Sequence, residues 1–339
     1  MEEYVISLEG IKGLLENLTR EGFNIYAPSK NNDRFVKVKD IDEVALFPDR
    51  RPTDISAKEC LFPKCEPVFY YKREKNNVEI VDIDPNGNKV LFGLKPCDAA
   101  SFTIIHKVFN WDYKDKFYNK RFDNSLIIGL ACTYLDDYCF CTSVGLSPVS
   151  TVGSDILLVR LSDVSFGVIV ITDKGGQLVK RYPQLFEKGE PTKSKQVLDS
   201  IGGPARKFDH KKVKEWLDNN FETDFFNSIG DICVGCGQCT FVCPTCHCFD
   251  IVDEDYLYSE GRRMKNWDGC QFYLFTLHAS GHNPRDTQYK RYRQRVNHKF
   301  KYYVDRFQEV LCTGCGRCSR GCPVSIDIGD IVSRISKLS

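Results

Sequence analysis

Leu8, Ile11, Leu14, Leu15 and Leu18 recur at the three-and-four spacing of one helical face, and Phe23-Asn24-Ile25-Tyr26 after them reads as a strand. Val78 to Ile83 and Val90 to Leu94 are two more strand-like runs, and Asn86-Gly87 between them is the dipeptide of a tight hairpin. Ser125 to Leu130 is a short continuous apolar run, the pattern of a buried strand. Leu157–Leu161 and Val168–Thr172, with Gly175-Gly176 before Leu178-Val179, predict a further antiparallel set. Residues 1–185 therefore read as an α/β domain. From Glu187 to about His210 the chain turns polar and rich in Lys, Gly and Pro, with a break at Gly202-Gly203-Pro204. Residues 186–225 read as a linker and then a helix over Lys211–Asn220, with Val213, Trp216 and Leu217 on one face. Gly and polar punctuation is sparse from Asp255 to Glu309, which predicts helices, so 226–339 is expected to be a mostly α-helical domain.

With 339 residues, of which 42% are hydrophobic, the chain has material for two to three domains and a real core. A net charge of +1 argues against a nucleic-acid protein on bulk electrostatics. No apolar run reaches the roughly 18–20 residues that a membrane span needs. The opening Met1-Glu2-Glu3-Tyr4 is acidic where a secretory leader would be basic. The expectation is a cytoplasmic protein of a reducing compartment, with no membrane and no nucleic acid among its partners.

Seventeen cysteines change that picture. Cys233-x2-Cys236-x2-Cys239-x3-Cys243-Pro244 is repeated as Cys312-x2-Cys315-x2-Cys318-x3-Cys322-Pro323. This is the bacterial ferredoxin run, in which the fourth cysteine of each run ligates the other cluster. Three cysteines at this interval wrap a tight loop around one face of a [4Fe–4S] cube, and the Pro ends the loop by fixing φ. Zinc takes two separated pairs of ligands, and disulfide frameworks belong to small secreted domains. Neither fits. Two [4Fe–4S] clusters are therefore expected, one held by Cys233, Cys236, Cys239 and Cys322, the other by Cys312, Cys315, Cys318 and Cys243.

The remaining cysteines are not scattered at random. Cys97 follows a predicted strand at a predicted helix start, where a thiol is expected to ionise readily. Cys132, Cys139 and Cys141 also fall in a loop after a strand, so these four form a candidate third cluster, the alternative being four inert thiols. Cys246, Cys248 and Cys270 form a further candidate Fe–S site. Its fourth ligand would be His247, Cys60, Cys65 or an exogenous group, and the alternative is thiols packed beside the first cube. Cys60 and Cys65 themselves have no visible partner and read as unligated. One or two clusters beyond the first pair are thus open. The basic stretch from Arg285 through Arg291, Arg293, Arg295 and Lys299 reads either as compensation for a cube of charge roughly −2 or as a solvated helix face.

Several segments occur together: Lys95-Pro96-Cys97-Asp98, residues 139–145, Cys243-Pro244-Thr245-Cys246-His247-Cys248-Phe249-Asp250, Trp267-Asp268-Gly269-Cys270, His282-Asn283-Pro284-Arg285, residues 291–300 and residues 312–318. Together they resemble the beta subunit of cytoplasmic sulfhydrogenases and the A subunit of anaerobic sulfite reductases, over the whole chain. The resemblance implies an electron conduit in a multi-subunit oxidoreductase, not catalytic alone. Its partners would be a flavin-containing, NAD(P)H-oxidising reductase subunit and a catalytic hydrogenase or sulfite reductase subunit. The sequence has no Rossmann glycine fingerprint of its own, and Gly314-Cys315-Gly316 belongs to a cluster loop. A competing function is cluster-based thiol or polysulfide reduction at the extra cysteines. A third is a binding protein with structural clusters.

Overall fold

The computed structural model describes residues 3–30, 34–45, 51–189 and 191–338; Met1 and Glu2 of the acidic opening lie outside the described residues. Twelve strands form two sheets among them: β1 (Glu3–Ser7), β2 (Asn24–Pro28), β3 (Phe35–Lys37), β4 (Cys65–Glu74), β5 (Asn77–Asp82), β6 (Lys89–Leu94), β7 (Ser125–Leu130), β8 (Ile156–Arg160), β9 (Ser165–Val170), β10 (Glu187–Lys188), β11 (Phe249–Leu257) and β12 (Glu260–Trp267). The larger sheet has the order β10-β1-β9-β8-β7-β6-β2-β3. Its centre, β2, β6, β7 and β8, is parallel and its flanks are antiparallel. Helix Leu8–Arg20, capped by the Ser7 side chain, buries Ile11, Leu14, Leu15 and Leu18 on one face of this sheet. Helix Pro96–Val108 covers the other face with Phe102 and Ile105.

The hairpin expected at Asn86-Gly87 does not form. β6 is buried along almost its whole length and takes the central place between β2 and β7, whereas β5 is exposed throughout and pairs with β4. Burial demand outweighs the local turn signal, because a strand covered on both faces must sit inside a layered sheet. β8 and β9 pair antiparallel as expected. Leu178 and Val179, however, lie in helix Asp173–Arg181, which Thr172 starts by accepting the Gly175 N–H. The polar stretch after Glu187 also carries more than a linker. It contributes edge strand β10 and helix Pro191–Ser200, whose Ser194 packs where Gly167 has no side chain. Helix His210–Asn219 buries Val213 and Leu217 as its pattern predicts.

The helical expectation for 255–309 holds only from Gln288 onward. β11 and β12 form a hairpin whose charges pair across the strands, Asp253 with Arg263 at 2.8 Å and Glu254 with Arg262 at 2.8 Å. That hairpin docks on β4, so the smaller sheet, β11-β12-β4-β5, joins strands more than 180 residues apart. The C-terminal region is helical in part, with its own core around Val213, Phe226, Val296, Phe300 and Val332. Among the described residues no helix is long and apolar enough to cross a membrane.

Candidate iron–sulfur centres

The two cysteine runs fold alike. Gly235 and Gly237 have φ of +65° and +72°, and Gly314 and Gly316 have +66° and +72°. This left-handed backbone is open to glycine without a Cβ penalty and curls each loop back on itself. A short helix follows in each case, Gln238–Phe241 and Arg317–Arg320. Cys233, Cys236 and Cys239 line one cavity, and Cys318 and Cys322 of the other run line it with them. Cys243 is buried, and its charge acts on both Cys312 and Cys318. Cys322 thus stands with the first three cysteines of the first run, and Cys243 near Cys312 and Cys318 of the second.

The N-terminal cysteines gather at the carboxyl ends of parallel strands, where open α/β sheets characteristically hold ligands. Cys97 is in the first turn after β6 and Cys132 lies just beyond β7. Cys97, Cys132, Cys139 and Cys141 line one cavity, together with Pro52, Gly314 and Cys315. The ready ionisation expected for Cys97 is not found: burial, then the neighbouring Asp98 carboxylate, pushes its thiol up. The site is clamped onto the second run. Phe140 N–H donates to Gly314 O at 2.9 Å, Arg320 pairs with Asp136 at 2.8 Å, and Arg317 pairs with Asp98 at 2.7 Å. Gly314 is required here, since a Cβ would lie 2.5 Å from Cys141 N.

Cys246, Cys248 and Cys270 also converge. Cys248 hydrogen-bonds Cys270, and Cys246 hydrogen-bonds Cys243. The bond from Cys248, aided by the Arg295 charge, lowers Cys270 to about 6 against the cost of burial. Of the possible fourth ligands, His247 turns its Nδ1 to Thr245 O at 3.1 Å. Cys60 sits in the core with Leu61 and Phe62, with Lys89, Glu59 and Asp98 as its charged neighbours, and Cys65 is exposed at the start of β4. Cys60 and Cys65 line neither of these two cysteine cavities. Among the described residues no three His, Cys, Asp or Glu side chains close around a single ion. A cube several atoms across spaces its thiolates more widely than that.

Three buried cations stand among these thiols. Arg295 donates to Cys246 Sγ at 3.3 Å and to Cys239 O at 2.8 Å. Lys299 donates to Cys243 Sγ at 3.3 Å and to Leu311 O at 2.8 Å. Lys58, from the N-terminal domain, donates to Cys246 O at 2.8 Å and lies 3.7 Å over the Trp267 ring. Burial lowers Lys58 to about 8, while the thiols raise Lys299. Each cation is only 2% exposed, which decides between the two readings of the basic stretch: a solvated helix face is excluded at Arg295 and Lys299. Unpaired charges at such depth are costly, so this cradle suits a buried anion. Further N–H groups point at sulfur, from Gln288 to Cys233 at 3.2 Å, Gly314 to Cys312 at 3.4 Å and Ile326 to Cys322 at 3.2 Å. Such bonds and charges are what stabilise and tune thiolate-held clusters.

Residues 232–326 match the family model of the 4Fe-4S dicluster domain. The sulfhydrogenase 2 subunit beta of Pyrococcus furiosus is 33% identical over 317 residues, which cover 92% of this chain and 92% of that protein. The chain belongs to the sulfhydrogenase beta-subunit family. It is therefore an iron–sulfur protein of electron transfer, carrying its clusters in the dicluster domain. No solved structure gives a significant match. Sequence reasoning missed the residues that join the centres: Lys58, Asp98, Asp136, Arg317 and Arg320. For Arg317 and Arg320 their place inside a cysteine run was a signal, whereas nothing near Lys58 in the sequence marks it.

Proposed function

We propose that the protein is the electron relay of a sulfhydrogenase-type complex. It would pass electrons between a flavin- and NAD(P)H-linked partner subunit and a catalytic hydrogenase subunit. In this reading Cys233, Cys236, Cys239 and Cys322 hold one [4Fe–4S] cube, and Cys312, Cys315, Cys318 and Cys243 hold the second. Cys97, Cys132, Cys139 and Cys141 hold a third cluster. When bound, the clusters supply reversible one-electron chemistry. The chain's residues hold the thiolates apart, place Arg295, Lys299 and Lys58 against the added negative charge, and keep water from the buried sulfurs.

The observation that carries the reading is the shared wall at Cys315. This residue belongs to the second run and also lines the cavity of the N-terminal set. Cys318 and Cys322 of the same run line the cavity of the first. In this reading the second run stands between the first run and the N-terminal set, as a relay between two partner surfaces requires. The test is stoichiometry with site-directed spectroscopy on anaerobically purified protein. About 12 iron atoms per chain are expected, about 8 from the two runs alone. Cys322→Ser is expected to disturb the electron paramagnetic resonance (EPR) signal of the cube held by Cys233, Cys236 and Cys239, and Cys243→Ser that of the other. About 4 iron per chain, or damage confined to the cube of each cysteine's own run, sinks the assignment.

A second reading draws on Cys246, Cys248 and Cys270, where three convergent thiols include one with a lowered pKa. A cluster there with an open corner would support thiol or polysulfide reduction. Polysulfide turnover by the isolated chain, lost in Cys270→Ala with the run clusters intact, would favour it over the relay.

A further inference from the structure

A cavity of about 580 Å³ lies outside all the cysteine sets, within the size range of small-molecule sites. It opens between the end of helix Pro96–Val108 and the segment His298–Phe307, and its walls include Trp111, His247, His298, Tyr302, Arg306 and Phe307. The helix that begins at Gln288 changes to π winding over His298–Tyr302 and returns to α at Tyr303. Such insertions are rare and recur at functional sites. Here the winding sends Lys299 inward to Cys243 Sγ, while its neighbour His298 and Tyr302 line the cavity. The facing wall is His247, between Cys246 and Cys248. Its Nδ1 lies 3.1 Å from Thr245 O, a carbonyl that can only accept, so Nδ1 donates.

The mouth is aromatic, with the Arg306 cation and, beside it, the Asp305 carboxylate on its wall. The Arg306 guanidinium stacks 3.6 Å over Trp111, whose ring meets Phe307 edge-on at 6.2 Å. Arg306 has no ion-pair partner among the described residues, and Asp305 beside it is engaged by Lys214 at 2.7 Å. Aromatic faces ask for a flat ring, and the guanidinium for an anionic group. His247 lies between Cys246 and Cys248 in the chain, and Lys299, next to His298, reaches Cys243 Sγ, so a ring bound here lies beside the sulfur-rich core.

We propose that this cavity binds a flat heteroaromatic anion of the flavin mononucleotide class, its ring between the aromatic side chains and its phosphate at Arg306. The test is a flavin-fluorescence titration of the full chain, purified anaerobically with its clusters, using flavin mononucleotide itself. Saturable quenching at one flavin per chain is expected. Arg306→Gln and Trp111→Leu, both at exposed positions, should each weaken it by about tenfold with iron content and circular dichroism unchanged. Lumiflavin, which lacks the phosphate, should bind more weakly and should not respond to Arg306→Gln. Absence of saturable quenching below about 1 mM, or variants that bind as tightly as the parent, would overturn the site. Displacement by adenosine monophosphate at equal concentration would overturn the flavin class. The cluster assignments stand on iron counts and EPR, so either inference can fail without the other.

Discussion

Removing one partner of the Arg317–Asp98 pair is expected to loosen the junction between the N-terminal cysteine set and the second run. The two side chains are 0% and 2% exposed and lie 2.7 Å apart. At an effective dielectric of about 20 the attraction has a scale of about 6 kcal/mol, most of it offset by the desolvation of both ions. The pair as a whole therefore nets little, but deleting one member leaves a buried charge unpaired, at about 3–5 kcal/mol. Arg317 also donates to Thr53 O, so Arg317→Met removes a second contact, while Asp98→Ala strands the guanidinium. Each single variant should lose roughly 5–10 °C of thermal stability. The double variant Asp98→Leu/Arg317→Met should recover most of what Asp98→Ala loses, because an apolar pair of similar volume carries no stranded charge. Unfolding of a cluster protein is in practice irreversible, so half-lives of cluster absorbance at one fixed temperature are the assay. Because Arg317 lies between Cys315 and Cys318, the single variants should also alter the EPR line shape of the second cube before they unfold. Single variants whose half-lives match the parent's, or a double variant shorter-lived than both, would refute the reasoning.

Lys299→Met should make the cube beside Cys243 harder to reduce, since the cation 3.3 Å from that sulfur favours the added electron. A shift of roughly −50 to −150 mV, one to two and a half tenfold steps of a one-electron couple, is expected in an EPR-monitored redox titration. An unchanged midpoint would count against charge compensation. Gly314→Ala must place a Cβ 2.5 Å from Cys141 N at φ +66°, whereas Gly145→Ala, at φ +81°, has nothing within 4 Å. The second should cost about 1–2 kcal/mol of backbone strain and the first clearly more, read by chemical denaturation; equal losses would mean the loops are not in contact. His106 is held below its usual pKa by burial against Phe122 and Tyr118. Its unfolded form takes up a proton first as pH falls below about 6.5, so stability should fall with acidification there. His106→Phe should remove that part of the slope in melts between pH 5 and 7.5, and an unchanged slope would assign it to another group.

Some of this protein was decided by local pattern. The glycines at two places in each cysteine run permit the left-handed backbone that curls the loop, so the spacing alone marks the thiols and their loop geometry. The helical faces at Ile11–Leu18 and Val213–Leu217 and the apolar run of β7 are also local, since periodicity and burial ask the same of them. The failures have one cause. Asn86-Gly87 offered a hairpin, but β6 had to be covered on both faces. The apolar residues of β11, such as Ile251 and Leu257, are exposed and interrupted by acidic ones, so that hairpin shows no buried-strand pattern and is defined by its pairing with β12 and the dock on β4. What no stretch of sequence could supply is proximity. Lys58 reaches Cys246 across 188 residues, and Arg317 reaches Asp98 across 219. Charge acts through space and a buried ion must find its partner wherever the fold brings one, so only the tertiary structure could set the cations among the thiols and align the centres.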